Sequence, residues 1–226
     1  VSKQAVLKSK FIHDFRYQFI DDLKKEDMFD LYNKMELPLC YVLTKMEENG
    51  IKVSIDYLNE MGEVLKNKIA SLEEEIYNLS NIRFNISSPK QLGEVLFKQM
   101  QIPYPKKIKD DNYSTSKDIL DKLVDKYPII DKILLYRTYT KLYSNYIVSL
   151  KEDIKSDKKV HTIFNQTLTR TGRLSSERPN LQNIPIRLEE GRLIRKAFIP
   201  SEGNIIVSSD YSQIELRVNA KKSKSG

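Results

Sequence analysis

The chain has 226 residues, 40% hydrophobic and 31% charged, a composition that can build a packed core and that excludes a disordered or membrane-embedded polypeptide. No apolar stretch approaches the roughly 20 residues of a membrane helix. The first residues lack the apolar core of a signal peptide, and the single cysteine, Cys40, can close no internal disulfide, so a reducing, intracellular setting is expected. The formal net charge of +7 favours an anionic partner, most commonly nucleic acid, although many basic chains bind none.

Phe11, Phe15, Phe19 and Leu23 recur every fourth residue and predict one face of a helix within the first 35 residues. Met35-Glu36-Leu37-Pro38 starts a new element, continued by Val42, Leu43 and Met46 and closed by Asn49-Gly50 as a helix C-cap. The longest predicted helix runs from about Ile55 to Leu79. Its seam is Leu58, Leu65, Leu72 and Leu79, with Ile69 and Ile76 on the neighbouring stripe, Glu73 to Glu75 on the other side, and Gly62 weakening it slightly.

Ser88 is the expected N-cap and Pro89 the first residue of a helix reaching Met100. Pro103 and Pro105 mark a loop, and Ser114-Thr115-Ser116 opens a helix carried by Ile119, Leu120 and Leu123. A further helix spans about Ile129 to Leu150 and carries Tyr136, Tyr139, Tyr143 and Tyr146. From Val160 the pattern changes to short extended runs at His161 to Phe164, Ala197 to Ile199 and Ile205 to Val207. A boundary is therefore expected near residues 151–159, and the only low-complexity segment is the tail Lys221 to Gly226.

Two polar blocks carry the candidate chemistry: Thr169 to Ser176 continued by Pro179 to Pro185, and Asp210 to Arg217. Asp210 follows the apolar run Ile205-Ile206-Val207, so at the end of a buried strand its carboxylate could hold a divalent cation of the kind phosphoryl transfer uses. A lone Asp after a strand is more often a helix N-cap, and Ser212-Gln213-Ile214-Glu215 fits a capping box. Arg173, in a glycine-containing turn flanked by hydroxyl residues, suits a phosphate or a groove edge, though an ordinary surface turn has the same look. Arg137 and Lys141 lie four apart on one helical face, and with Ser87, Ser88 and Lys90 they could touch a phosphate backbone or form merely solvated cationic faces. The tyrosines of that helix are expected to pack against a neighbouring helix rather than to stack on bases.

Taken together, Thr171-Gly172-Arg173-Leu174-Ser175-Ser176, Pro179-Asn180-Leu181-Gln182-Asn183-Ile184-Pro185 and Asp210 to Arg217 closely resemble, in order, the palm signatures of family A DNA polymerases of the bacterial DNA polymerase I type. Met35 to Leu39, Glu48-Asn49-Gly50, Phe84 to Ser88, Tyr136-Arg137 and Gly191 to Phe198 fit the same family, so the resemblance covers nearly everything from Met35 to Arg217. It implies an α+β fold, with a mostly helical thumb-like region at 35–155 followed by a small partial palm with short antiparallel strands at 156–226. Residues 1–34 would be the end of an exonuclease-like domain or a linker.

The resemblance further implies that Asp210 is a catalytic, magnesium-binding aspartate, one of two in the family, and that Tyr211 lends its backbone carbonyl to a metal. Glu215 would select deoxynucleotides by blocking a ribose 2′-hydroxyl. Arg173 and Gln182 would contact the minor groove near the primer end, while Asn85, Ser88, Lys90, Arg137 and Lys141 would hold the duplex. Primer–template DNA and deoxynucleoside triphosphates are the implied partners, two Mg2+ ions the implied cofactor, and the cytoplasm, nucleoid-associated in a bacterium, the implied location.

The chain also departs from that pattern. The fingers helix, the later palm segment with the second aspartate, and any Asp-x-Glu exonuclease string are missing, and Asn165 stands where a histidine is usual before Gln166. After Arg217 the family's helix gives way to Val218-Asn219-Ala220 and the lysine-serine tail. The expectation is therefore a thumb-plus-partial-palm piece that does not polymerise alone; the alternative is a non-catalytic duplex DNA-binding module.

Overall fold

The computed structural model describes residues 2–105, 113–186 and 188–223. The architecture is α+β, with helices dominating and two small antiparallel sheets joined to them. Helix α1 (Lys3–Lys25) starts at Ser2, whose hydroxyl accepts from the Ala5 amide, and carries Lys24 and Lys25 in its last turn, where the helix dipole favours cations. Helix α2 (Phe29–Leu31), a π-helical stretch Tyr32–Glu36 and α3 (Leu37–Asn49) then follow without a break. The new element expected at Met35 is a change of helical pitch, because Pro38 falls in the first turn of α3, where its missing N–H is tolerated.

Helix α3 ends where expected, at Gly50 with φ +56°. A Cβ there would lie 2.7 Å from both His161 Cε1 and the Val160 carbonyl oxygen, so neither the backbone conformation nor the space admits a side chain. Strand β1 (Ile51–Val53) leads to α4 (Ile55–Ser80), whose N-cap Ser54 accepts from the Tyr57 amide at 3.3 Å. Leu58, Leu65, Leu72 and Ile76 of α4 are buried. Leu79 is exposed, because an α-helix drifts about 20° per heptad off a strict seven-residue repeat and the burial passes to the Ile76 stripe. Gly62 is buried, and a Cβ on it would lie 3.0 Å from Ile147 Cγ2, so this glycine permits close helix packing rather than merely weakening α4.

Helix α5 (Pro89–Gly93) has Ser88 as N-cap and Pro89 in its first turn, and it runs into a π-helical stretch Glu94–Gln99. Helix α6 (Lys117–Leu120) follows Ser116. The long helix expected over 129–150 is α7 (Pro128–Leu142), a π-helical stretch Tyr143–Val148 and α8 (Ser149–Asp153) in continuous succession. Helix α4 packs along α7, with Ile130, Ile133, Leu142, Ile147 and Leu150 all nearly inaccessible. Each such side chain contributes about 1.5–3 kcal/mol by leaving water.

The glutamates of α4 are not simply solvated. Glu73 accepts from the Tyr136 hydroxyl at 3.0 Å, Glu74 takes both terminal nitrogens of Arg83, and Glu75 pairs with Lys132 at 2.7 Å. The first and third of these tie α4 to α7.

Strand β2 (Lys159–Val160) pairs antiparallel with β1 (Ile51↔Val160), while β3 (Ile163–Asn165) pairs with β4 (Ser175–Glu177; Phe164↔Ser176). Helix α9 (Glu189–Arg195) leads into β5 (Phe198–Ile199), which flanks β1 on its other side in the order β2–β1–β5. Val53 and Val160 carry this sheet into the helical core.

Residues 205–207 do not form the buried strand that their apolar run suggests. Ile205, Ile206 and Val207 are exposed, since no strand among the described residues pairs with them and an unpaired run has no ladder to join. Helix α10 (Ile214–Ser223) continues past Arg217 through Ser223, so Val218-Asn219-Ala220 does not end the helix; the last three residues of the tail lie outside the described residues. Among the described residues, no helix is long and apolar enough to cross a membrane.

Candidate nucleic-acid interface

The loop after β4 is held from several sides. Ser176 is buried and its hydroxyl accepts from the Leu181 amide at 3.1 Å. The buried Thr162 hydroxyl reaches the carbonyls of Glu177 (3.1 Å) and Pro179 (2.7 Å). The Tyr146 hydroxyl donates to the Asn183 carbonyl at 2.6 Å, and Arg195 donates to the Ile184 carbonyl at 2.9 Å. A Cβ on Gly191 would collide with the Pro185 carbonyl, so α9 touches the loop through bare backbone. Within the loop, the Asn180 side chain accepts from the Gln182 amide at 3.1 Å as a local turn. This anchoring fixes the backbone and leaves the Asn180, Gln182 and Asn183 side chains at the surface.

Between this loop and the α7–α8 helix runs a groove of about 620 Å³, lined by Lys141, Asn145 and Ser149 from the helix and by Asn180, Leu181 and Asn183 from the loop. A lysine, amides and a hydroxyl share this concave surface, a donor and acceptor mixture suited to phosphate oxygens and base edges. Of these lining residues, only Lys141 stands out in the sequence by itself. Asn145 and Asn180 are legible there only as members of longer strings, because their roles depend on two segments meeting in space.

Arg137, expected beside Lys141, is half-buried and donates to the backbone carbonyl and, at 2.9 Å, to the hydroxyl of Thr115. Burial pushes its guanidinium pKa down from the usual arginine value, yet such a group stays charged at neutral pH. Lys141 is exposed and faces the groove. The tyrosines pack as expected: Tyr136, Tyr139 and Tyr146 are buried, with their hydroxyls on Glu73, Glu190 and Asn183.

Asn85, Ser88 and Lys90 share one turn beside α7, linked to it by a 3.4 Å contact between Ser87 and the Tyr136 hydroxyl. Asn85 accepts from the Ser87 amide at 3.0 Å and Ser88 caps α5, while Lys90 stands exposed in the first turn of that helix.

An ion pair and a tyrosine hydroxyl brace α9. Glu190 is buried and accepts from Lys68 at 2.5 Å and from the Tyr139 hydroxyl at 2.9 Å. Burial opposes its ionisation, but the hydrogen bonds outweigh it and hold the carboxyl below the usual carboxylate range. The Glu190 hydrogen bond raises the Lys68 pKa. Directly after β2, His161 places Nδ1 2.7 Å from the Glu47 carbonyl and Nε2 3.0 Å from Asp157. Both partners accept, so the Glu47 carbonyl first and then the Asp157 carboxylate raise the imidazole pKa.

The second polar block stands apart from this anchored core. Asp210 and Tyr211 are exposed in a segment without regular secondary structure, and Asp210 has no hydrogen-bond or ion-pair partner among the described residues. Neither cap suggested by the sequence forms. Helix α10 begins only at Ile214, and Gln213 at φ +54° interrupts the direct path from an N-cap into a helix that a capping box requires. Glu215 instead comes within 3.8 Å of Arg173, joining the two polar blocks through an exposed ion pair. The Gln182 side chain has no partner among the described residues. No group of three His, Cys, Asp or Glu side chains among the described residues could hold a metal ion.

Comparison with known proteins bears on the family and the fold. The family model described as DNA polymerase family A matches residues 55–225. DNA polymerase I of Bacillus subtilis (strain 168) is 51% identical over 226 residues, covering 99% of this chain and 26% of that protein. DNA polymerase I of Lactococcus lactis subsp. cremoris (strain MG1363) is 53% identical over 199 residues, covering 88% of this chain and 23% of that protein. A solved structure of the POL domain of Pol1 from M. smegmatis, in complex with DNA primer-template and dNTP, superposes with a TM-score of 0.80 at 39% identity, covering 91% of this chain and 36% of that one. The chain thus spans about a quarter of the length of the curated relatives it matches (26% of the first). With three-quarters of its length under the family model and half of its residues shared with these relatives, the chain belongs to DNA polymerase family A.

Proposed function

We propose that this chain supplies the duplex grip of a DNA polymerase I-type enzyme, the enzyme that adds deoxynucleotides to a primer 3′ end on a template. The observation that carries the reading is the groove between the α7–α8 helix and the anchored 179–185 loop, with Lys141 and Asn145 on one wall and Asn180 on the other. Its partners are primer–template DNA and, for the whole enzyme, deoxynucleoside triphosphates, the ligands with which the similar POL domain was solved. Residues 35–155 act as the thumb and 156–226 as part of the palm, with 1–34 as the end of a preceding domain or a linker.

In this reading Lys141 and Lys90 neutralise phosphates, and Asn85 and Ser88 present polar groups at the thumb tip. Arg137 holds Thr115 and keeps its other N–H groups for phosphate. Gln182 and Arg173 read the minor groove, whose degenerate pattern tolerates any sequence. Glu215 excludes a ribose 2′-hydroxyl, with Arg173 orienting it.

Magnesium would belong to Asp210 and the Tyr211 carbonyl. A two-metal site needs more oxygen ligands than one carboxylate and one carbonyl, and among the described residues no further acidic side chains gather there. The residues present therefore do not make up that site. The 226-residue chain is accordingly a binding piece that does not polymerise by itself. A primer-extension assay with Mg2+ and all four deoxynucleotides tests this: no extension is expected, and sustained extension abolished by Asp210→Ala contradicts it.

A further inference from the structure

The helical wall of the groove is graded in charge. Lys141, Asn145, Ser149 and Asp153 follow one another every fourth residue along the continuous α7–α8 helix, and all four line the groove. The wall therefore begins on a cation, passes over an amide and a hydroxyl, and ends on an anion. Twelve residues at 1.5 Å each separate the two charges by about 18 Å. The opposite wall, with Asn180 and Asn183, carries no charge.

Nothing nearby accounts for a carboxylate at the end of this wall. Asp153 is half-buried and has no hydrogen-bond or ion-pair partner among the described residues. It is the last residue of α8, where the helix dipole is negative and favours a cation. Its neighbour Lys151 is engaged elsewhere, donating to Asn59 at 2.6 Å. The Asp153 charge and the unpaired carbonyls of the helix end thus add to one negative pole in a groove whose other end is positive.

We propose that Asp153 is a specificity-determining residue of the groove, one that repels phosphate and so fixes the register in which a nucleic-acid duplex lies along the wall. The inference rests on the duplex-grip reading above. A backbone phosphate seated at Lys141 is attracted, whereas a duplex displaced along the wall brings a phosphate against Asp153 and meets like charge. Attraction at one end and repulsion at the other select one placement. The uncharged Asn145 and Ser149 between them supply hydrogen bonds but no barrier to sliding.

The test is fluorescence anisotropy of the 226-residue chain at low salt with primer–template duplexes carrying one neutral methylphosphonate at successive positions. For the native chain, neutralising the phosphate held by Lys141 weakens binding, and neutralising one at the other end of the groove strengthens it about fivefold, the effect of one charge pair some 4 Å apart in water. Asp153→Asn raises affinity for the unmodified duplex by about the same factor and abolishes that gain. Asp153→Lys recruits a further phosphate and steepens the salt slope by about 0.9. Asp125→Asn, an exposed acid outside the groove, changes neither the affinity nor the scan. Circular dichroism checks that the variants fold, and the scan of the native chain needs no variant. The proposal is overturned if no methylphosphonate position strengthens native binding, or if Asp153→Asn gains no more than Asp125→Asn. A native chain that binds no duplex defeats the grip reading itself, an outcome distinct from binding that ignores Asp153.

Discussion

Tyr146 donates its phenolic hydrogen to the Asn183 carbonyl across 2.6 Å, from the wide π-helical turn of one element to the loop after β4. That bond joins the two walls of the groove. Tyr146→Phe removes it and leaves a carbonyl unsatisfied, at a cost of about 0.5–1.5 kcal/mol. Urea unfolding measures that loss, and duplex affinity falls with it because the loop is less firmly placed.

Lys68 and Glu190 stand 122 positions apart in sequence and 2.5 Å apart in space. Lys68→Met strands a buried carboxylate; with Lys68 itself partly solvated, the expected loss is about 1–3 kcal/mol. The Glu190 pKa is depressed, so its contribution is present above the unfolded value of about 4.3 and is lost as pH falls through the folded value. Unfolding midpoints below about pH 5 therefore drop more steeply for the native chain than for Glu190→Gln.

His161 behaves with the opposite sign. Its raised pKa makes its contribution complete below the unfolded value of about 6.5 and removes it as pH rises through the folded value. Thermal unfolding between about pH 6 and 9 shows stability declining in the native chain, and His161→Gln flattens that decline.

Gly191→Ala drives a methyl group into the Pro185 carbonyl. Either α9 or the loop must shift, costing about 1–3 kcal/mol. Because the loop forms one groove wall, duplex affinity falls in step with stability, and a variant with native stability and native affinity would contradict the close approach.

Several of these features are legible in the sequence. The Ser88-Pro89 start, the Leu58-Leu65-Leu72 seam, the Gly50 stop and the packed tyrosines each follow from local stereochemistry or periodicity. The three π-helical stretches are not, since a one-residue widening leaves the apolar pattern almost intact. Nor are the partners of Arg137, Glu190 and Gly191, because each is set by a contact between segments that local rules treat separately. The run 205–207 departs from its expected strand for a related reason: its apolar residues have strand propensity, but a strand exists only with a neighbour to bond to.

Whether the groove is a duplex grip is decided by fluorescence anisotropy of labelled primer–template DNA, titrated against the chain at increasing salt. Binding should weaken linearly in log salt, with Lys141→Ala lowering both the affinity and the salt slope by about one released ion. Absence of binding by the folded chain, or binding indifferent to salt and to Lys141→Ala, would contradict the grip.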